Sequence, residues 1–362
     1  MSFTIFILSL FFIFKTLFLN FYPDFKVHYL SPIAVFSGNN PYKGGENFFT
    51  PEVYPPFVIY LFSPFILFSY SVAEKLWTAL SIIFLFVSLY FIFKINGKFL
   101  FSTTGLLLSA LFFTFYFPIK FTLGMGQINF LILFLTVLSV YFLNKNKEAS
   151  SGFFLTLSMM IKFFPLLLLP YLLLLKKWKM LLSIGITFCT ISFFIFLLNP
   201  KLTLYFYGSV LPSLLGGWKG DYYNQSLAGF LTREVVFLPL REFMTVLFSL
   251  LLVIISFVTI HIRKNIFSNL SVSLLISLSL LINNFSWQHV FVWLSFPFIT
   301  IFYFIKDQRS SLFYFLVWGA SFFLTGLNLP NPGIFPVIFI SHVFYGALLL
   351  WALNIYLLLK KT

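Results

Sequence analysis

The chain has 362 residues, of which 60% are hydrophobic and only 9% are charged, with a formal net charge of +14. With a mean hydropathy of +1.00, this composition excludes a soluble globular protein and indicates an integral membrane protein. No segment is polar enough to form a separate soluble domain, so we predict one membrane domain over residues 1–362. The basic excess does not indicate nucleic-acid binding, because Lys and Arg lie in short clusters between apolar runs, as topology signals and lipid-headgroup contacts do.

The first apolar run, residues 2–21, predicts an uncleaved membrane anchor. It has no basic start and no small-residue cleavage site, and Lys15 falls late in it, which disfavours a signal peptide. The only cysteine, Cys189, lies in a later apolar run, so a disulfide within the chain and most metal–cysteine chemistry are excluded.

The apolar runs predict an all-α polytopic bundle with about twelve membrane helices, two of them short. The predicted spans are residues 2–21, 73–93, 100–117, 127–143, 149–161, 164–175, 180–198, 243–260, 267–284, 287–305, 311–327 and 335–358.

Basic clusters set the predicted topology. They are Lys94/Lys98, Lys145/Lys147, Lys176/Lys177/Lys179, Arg263/Lys264, Lys306/Arg309 and Lys360/Lys361. Placing all of them in the cytoplasm satisfies the positive-inside rule and leaves both termini inside. Two conditions follow. Residues 57–70 must lie at the outer face as a juxtamembrane or re-entrant piece, and residues 149–175 must form a hairpin broken at 162–165, since proline ends or kinks a helix.

The two long stretches between spans, residues 22–72 and 199–242, then both face outward. Most of the nine Asp and Glu residues fall on that side. We therefore predict a multi-pass protein of the inner (plasma) membrane whose working surface is extracytoplasmic.

The first outer loop begins with Asp24, directly after the anchor. A carboxylate at a membrane–water boundary is placed to take a proton from a substrate in the headgroup layer. It could equally be a helix N-cap or a solvated acid. His28 shares its face in a helix and could be a proton relay or half of a metal site. No second His/Asp pair has ligand spacing, so packing or a hydrogen bond is favoured over metal.

Polar residues also interrupt two later runs. Gln127 and Asn129, after two glycines at the start of the fourth span, could be sugar ligands or polar contacts between helices. Lys162, within an apolar run, is costly unless it faces a cavity or a counter-ion. A lipid phosphate would be a natural partner, and the alternative is snorkelling to the interface.

The second outer loop mixes aromatic and amide side chains, a combination that suits carbohydrate but also an interfacial aromatic belt. Its notable residues are Trp218, Asp221, Tyr222, Tyr223, Asn224, Gln225, Ser226 and Arg233. A polar break at 283–289 contains Trp287 and His289, and His289 is either a structural group or a substrate ligand. His261 and His342 are predicted to be structural.

Taken together, these segments resemble glycosyltransferase family 87 of the GT-C superfamily, which includes polyprenyl-phosphate-mannose-dependent mannosyltransferases. The resemblance covers about residues 20–300. The segments that carry it are Asp24-Phe25 with His28-Tyr29, Gly38 to Tyr42, Tyr54-Pro55-Pro56, Gly126-Gln127-Ile128-Asn129, Gly152 to Lys162-Phe163-Phe164-Pro165, Asn224-Gln225-Ser226-Leu227 and Ser286-Trp287-Gln288-His289.

The resemblance implies an inverting hexosyl transfer, with mannose as the expected sugar, from a polyprenyl-phosphate donor to a lipid or glycan acceptor. It also implies that the first-loop acid, Asp24, is the general base. Lys162 and Arg233 would stabilise the leaving phosphate, and no cofactor or metal is expected. Substrate-binding roles are predicted for His28, Tyr54, Gln127, Asn129, Asn224, Gln225, Trp287 and His289.

Three other functions remain open at this stage. A lipid or polysaccharide transporter would carry charged residues along a path near mid-membrane, and often repeats, whereas the polar groups here collect at the predicted outer ends of spans. Another GT-C polymerase or ligase with a diphosphate-linked donor would show more outward cations or a metal dyad. A non-enzymatic assembly subunit is the least favoured alternative.

Overall fold

The computed structural model describes residues 1–19, 22–214, 220–262, 268–308, 311–330 and 332–360. Within these ranges the chain is helical and has no β-strand, which confirms the predicted all-α class. Backbone groups in hydrocarbon can be satisfied within a helix itself, so an apolar chain of this kind favours helices. The predicted features Trp218, Arg263/Lys264, Arg309 and Lys361 lie outside the described residues.

The first half of the chain forms ten α-helices in the described ranges. They are α1 Ser2–Phe14, α2 Pro23–Phe36, α3 Pro56–Phe62, α4 Tyr70–Ile95, α5 Thr103–Phe115, α6 Phe117–Met125, α7 Asn129–Asn144, α8 Glu148–Ile161, α9 Leu168–Leu174 and α10 Trp178–Leu198. Short 3-10 turns lie at Lys15–Phe18, Pro41–Lys43, Ser63–Leu67 and Phe164–Leu167.

The second half contains nine further α-helices in the described ranges. They are α11 Pro200–Tyr205, α12 Leu211–Leu214, α13 Leu227–Glu234, α14 Leu238–His261, α15 Asn269–Ile282, α16 Ser295–Asp307, α17 Leu312–Gly326, α18 Val337–Ile340 and α19 His342–Lys360. A π-turn at Phe206–Val210 and 3-10 turns at Gln288–Leu294 and Pro332–Ile334 complete the described elements.

Fewer helices are long enough to cross a membrane than the twelve predicted. Five described helices are sufficiently long and apolar, or up to seven if each of two bent pairs is one span. The five are Tyr70–Ile95, Trp178–Leu198, Leu238–His261, Gln288–Asp307 and His342–Lys360. Each predicted range overlaps a helix, but several of these helices are short, so the count of twelve is not confirmed.

The predicted outer loop 22–72 is largely helical. It contains α2 and α3, and α2 follows the first helical segment at an angle of 43°. Proline starts both helices, because its fixed φ suits the first turn and its missing N–H costs nothing there. The loop thus becomes a folded layer packed on α4.

The centre of the bundle is formed by α7, α15 and the segment Gln288–Asp307. In the membrane-length window of Gln288–Asp307, 89% of the residues are buried, against 11% for α10 and 17% for α14. The helices α10 and α14 therefore lie at the periphery. Polar residues on or beside the central elements are enclosed by protein.

The predicted break near residue 162 is present. The α8 helix ends at Ile161, Lys162 is extended, and a 3-10 turn with Pro165 follows before α9. Pro165 has no N–H to donate to the carbonyl of Ile161, so α8 cannot continue through it. The break leaves the Lys162 side chain at a helix end beside α7.

Candidate active site

A glycine turn brings the start of α2 against the start of α7. Gly126 ends α6 with a φ of 69°, and a Cβ there would lie 2.6 Å from the Cβ of Phe25. A glycine is needed both for the left-handed backbone and for this close approach. The indole N–H of Trp77 donates to the Gly126 carbonyl at 2.9 Å and fixes the turn. Asp24 and Gln127, the neighbours of this contact, are thereby held together.

Asp24 is tied to Tyr54 through the amide of Gln127. The Gln127 Nε2 donates to Asp24 Oδ2 at 2.6 Å, and the Tyr54 hydroxyl donates to Gln127 Oε1 at 3.0 Å. The carboxylate can only accept, which sets the orientation of the Gln127 amide. The other oxygen, Asp24 Oδ1, accepts no hydrogen bond from a described residue. Asp24 therefore has one anchored oxygen and one available to a ligand.

The buried acid Glu52 supports the position of Tyr54 through hydrogen bonds. Glu52, 1% exposed, accepts from the backbone N–H groups of Val53 and Tyr54 at 2.9 and 3.0 Å, and from the Ser31 hydroxyl at 2.8 Å. Its other contact is His28 Nδ1 at 3.4 Å. Burial by itself would raise the pKa of Glu52, but His28 and these hydrogen bonds hold it below its ordinary value. Glu52 thus fixes the backbone that carries Tyr54.

Lys162, Asn129 and His289 form a second chain of hydrogen bonds. Lys162 Nζ donates to Asn129 Oδ1 at 2.9 Å, and Asn129 Nδ2 lies 2.8 Å from His289 Nδ1. Because an ammonium only donates, the amide nitrogen of Asn129 must face His289 and donate to Nδ1. We infer that a neutral His289 carries its proton on Nε2. This N–H makes no hydrogen bond to a described residue.

The two chains of hydrogen bonds, one from Asp24 and one from Lys162, meet at the ring of Tyr54. Lys162 Nζ lies 5.1 Å from the centre of that ring, a cation–π distance. The ammonium is also close enough to Asp24 for their charges to interact. Of its three N–H donors Lys162 uses one on a described side chain, so it can bind an anion without losing its support.

Asp24 is half-buried, which differs from the solvated acid that was one alternative for it. The glycine turn and the helical first loop close over it, and neither can be inferred from the apolar pattern alone. His28 is also buried, at 2% exposure, and packs edge-on to Tyr54 at 4.9 Å between ring centres. The sequence favoured packing or a hydrogen bond over metal for His28, and its predicted contact with substrate stays a prediction.

Aromatic rings line the side of the site formed by the second outer loop. Trp287 stacks on Tyr223 and on His289, with ring centres 6.0 and 6.1 Å apart. Phe121 contacts both Tyr223 and His289, at 5.0 and 5.4 Å. Phe121 could not be predicted from the sequence, since one phenylalanine among 57 gives no signal.

Asn224 and Gln225 connect the second outer loop to the rest of the bundle. Asn224 donates to the Asn284 carbonyl at 2.8 Å, and its backbone forms an antiparallel bridge with Trp287. Gln225 donates to the carbonyls of Tyr222 and Ile340 at 2.6 and 2.9 Å. These contacts favour a positioning role, and the predicted contact of both amides with sugar stays a prediction.

The guanidinium of Arg233 also makes its hydrogen bonds within the protein. Its guanidinium donates to the Ser341 hydroxyl at 2.9 and 3.1 Å and to the carbonyls of Asp221 and Asn224 at 2.9 and 2.8 Å. These contacts close the second loop onto the start of α19. The structure does not join Arg233 to the Lys162 cluster, and its predicted role at the donor phosphate stays a prediction.

The fold and the site together indicate a polytopic helical membrane protein whose acid, amide and cation side chains are enclosed among helices. The family model of glycosyltransferase family 87 matches residues 53–283. The match covers more than half of the chain, so the chain belongs to this family and is a glycosyltransferase. Membership of the GT-C superfamily is consistent with the match.

No curated protein and no solved structure matches the chain. The family match includes Tyr54, Gln127, Asn129 and Lys162 but begins after Asp24. The assignment of Asp24 therefore depends on the geometry around it and on the sequence motif, and not on the matched region.

Proposed function

We propose that the protein transfers a hexose, most simply mannose, from a polyprenyl-phosphate sugar to a hydroxyl of a lipid or glycan acceptor, with inversion. The observation that carries this proposal is that Asp24, linked to the Tyr54 hydroxyl through Gln127, and Lys162, over the Tyr54 ring, lie in one site. A base and a cation are the two groups that the reaction requires at its opposite ends.

The proposed chemistry uses Asp24 Oδ1 and the N–H groups of Lys162 that make no hydrogen bond to a described residue. The acceptor hydroxyl gives its proton to Asp24 Oδ1 as its oxygen bonds to the anomeric carbon. The bond from that carbon to the phosphate oxygen breaks, and the electron pair leaves with the lipid phosphate. Lys162 stabilises the growing negative charge through its free N–H groups. Displacement from the face opposite the leaving phosphate gives the inverted product.

The remaining side chains would orient the sugar. The aromatic rings around Trp287 would contact the apolar side of a pyranose, and His289 Nε2–H is available to a sugar or phosphate oxygen. Gln127 and Asn129 act on the reacting groups through Asp24 and Lys162, while His28 and Tyr54 keep the first loop in place. The proposal requires neither a metal ion nor a cofactor.

An activity assay tests the proposed donor class directly. Purified protein incubated with polyprenyl-phosphate mannose, glucose or arabinose and total membrane lipid should release polyprenyl phosphate and form a glycosylated product. Polyprenyl-diphosphate sugars serve as the matched donors. Turnover with a diphosphate donor and none with any monophosphate would instead support the polymerase or ligase alternative.

We also propose that the site opens to the extracytoplasmic face of the plasma membrane, as the basic clusters predict. Cysteine labelling in intact cells tests this, in a Cys189→Ser background because Cys189 is exposed. A membrane-impermeant reagent should label exposed positions 39 and 221 when they carry cysteine, and should not label the exposed positions 145 and 308. Labelling of position 145 from outside would contradict the hairpin topology of residues 149–175.

A further inference from the structure

The connection between α17 and α19, residues 327–341, carries no charged residue. From residue 310 to residue 359 the sequence has no Asp, Glu, Lys or Arg. The first and second outer loops, residues 22–72 and 199–242, each contain several acids and several bases. Charged side chains are the ones that water-exposed segments normally carry. The connection between α17 and α19 therefore has the composition of a segment that contacts lipid.

Four large apolar side chains of this connection are exposed within one short stretch of chain. They are Ile334, Val337, Ile338 and Phe339, and their exposed fractions lie between 45% and 77%. Ile334 ends a 3-10 turn, and the other three belong to α18. An apolar patch that is exposed in this way marks a surface that contacts a membrane or another protein.

The protein itself supplies hydrogen bonds to the backbone at both ends of the connection. Gln288 Nε2 donates to the Leu327 carbonyl at 2.6 Å, and Gln225 Nε2 donates to the Ile340 carbonyl at 2.9 Å. Non-helical backbone is tolerated at membrane depth only where protein groups satisfy it. These two amides meet that requirement for the carbonyls that they contact.

Prolines reduce the number of backbone donors in the connection. Pro330, Pro332 and Pro336 have no N–H that could be left without a partner in lipid. The N–H of Phe339 donates to the Pro336 carbonyl at 2.9 Å. The cost of placing this backbone next to hydrocarbon is lowered accordingly, while the exposed side chains are apolar.

The lengths of the flanking helices place the connection near the membrane boundary. The 15 residues of α17 and the 19 of α19 give roughly 22 and 28 Å at the rise of an α-helix. Both lengths are below the ~30 Å of a typical hydrocarbon core. Lys306 and Lys360 belong to the basic clusters that predict cytoplasmic ends for these helices. Starting from that surface, the chain reaches the connection at the opposite edge of the hydrocarbon or just inside it.

We propose that residues 334–339 insert into the hydrocarbon edge of the membrane leaflet on the side of the active site, with lipid acyl chains as their partner. Gln288 lies between Trp287 and His289 in the sequence, and Gln225 belongs to the second outer loop. The inserted segment, hydrogen-bonded to both amides, therefore holds the aromatic side of the site at a fixed depth in the bilayer. This contact does not depend on which donor or sugar the enzyme uses.

Fluorescence quenching in lipid nanodiscs, which leave both faces open to solutes, tests the proposal. Ile338→Cys in a Cys189→Ser background carries an environment-sensitive probe, and Glu46→Cys, at an exposed position of the first outer loop, is the matched control. The emission at position 338 should lie at shorter wavelength than at position 46. Phospholipids with brominated acyl chains should quench the probe at 338 and spare the probe at 46. Iodide in the buffer should quench in the opposite order.

Two results would overturn the proposal. Iodide quenching at position 338 as strong as at position 46, with none by brominated lipid, would place the patch in water. Quenching by neither agent would show that protein covers the patch, either a second copy of the chain or another subunit. Val337→Cys, at the neighbouring exposed position, repeats the measurement if Ile338→Cys folds poorly. No donor is present in this experiment, so its outcome is independent of the assay for the proposed glycosyl transfer.

Discussion

Replacing Asp24 with asparagine should lower turnover by roughly 10²–10⁴, the usual contribution of general acid–base catalysis. Asparagine keeps an oxygen that can accept from Gln127, so the local geometry should survive, but it cannot take the acceptor's proton. Donor binding should remain near wild type, because the proposed phosphate contact is made by Lys162. Initial rates at saturating donor, together with a direct binding measurement, check both parts.

The matched control for Asp24→Asn is Glu46→Gln, which removes an exposed acid from the same loop and should leave the rate unchanged. A folded Asp24→Asn protein that binds donor and keeps a tenth or more of the normal rate would show that another residue is the base. Glu52, the buried acid beside Tyr54, would be the next candidate. Its oxygens already accept from Ser31, His28 and two backbone N–H groups, which argues against that role.

Lys162→Met should weaken donor affinity by ~1.5–3 kcal/mol, the value of a charge-assisted hydrogen bond. This corresponds to an increase in the dissociation constant of roughly 10- to 150-fold. Methionine fills similar space and keeps the apolar stem, so the fold should be retained. Binding of a polyprenyl-phosphate sugar to purified protein measures the change.

Lys120→Met is the control for the loss of a partly buried lysine. Lys120 lies over the ring of Phe12 and donates to the Thr114 carbonyl, so its loss should not alter donor affinity. If Lys162→Met is well folded and binds donor as tightly as wild type, Lys162 is a residue that snorkels to the interface and has no role at the phosphate.

The apolar pattern was sufficient for the helical class and for the approximate position of most helices. The break at Lys162 was also predictable, because Pro165 forbids continuation of α8. Several polar residues that interrupt apolar runs, Gln127, Asn129 and His289 among them, do converge on one site. A polar group in such a run is costly without a partner, so its presence is itself a signal.

The features that could not be predicted from the sequence depend on contacts between distant segments. The burial of Asp24 follows from the approach of Gly126 to Phe25, which no local periodicity encodes. Arg233 and Gln225 are residue types that often bind ligands. Here their N–H groups donate to backbone carbonyls instead, those of the second outer loop for Arg233 and that of Ile340 in α18 for Gln225. The predicted number of spans is not confirmed, because several of the described apolar helices are too short to cross a bilayer unaided.

The break at Lys162 also makes the surrounding bilayer part of the reaction's geometry. The 14-residue helix α8 is roughly 21 Å long, and the turn and helix after the break are together under about 20 Å. A typical hydrocarbon core is ~30 Å thick, so neither arm spans it. Lipids beside this pair must shorten or tilt to cover it, at a modest elastic cost for each ångström of mismatch. On the proposed mechanism, membrane thickness sets how far a lipid phosphate must descend to reach the Lys162 ammonium, and we expect the rate to depend on lipid composition.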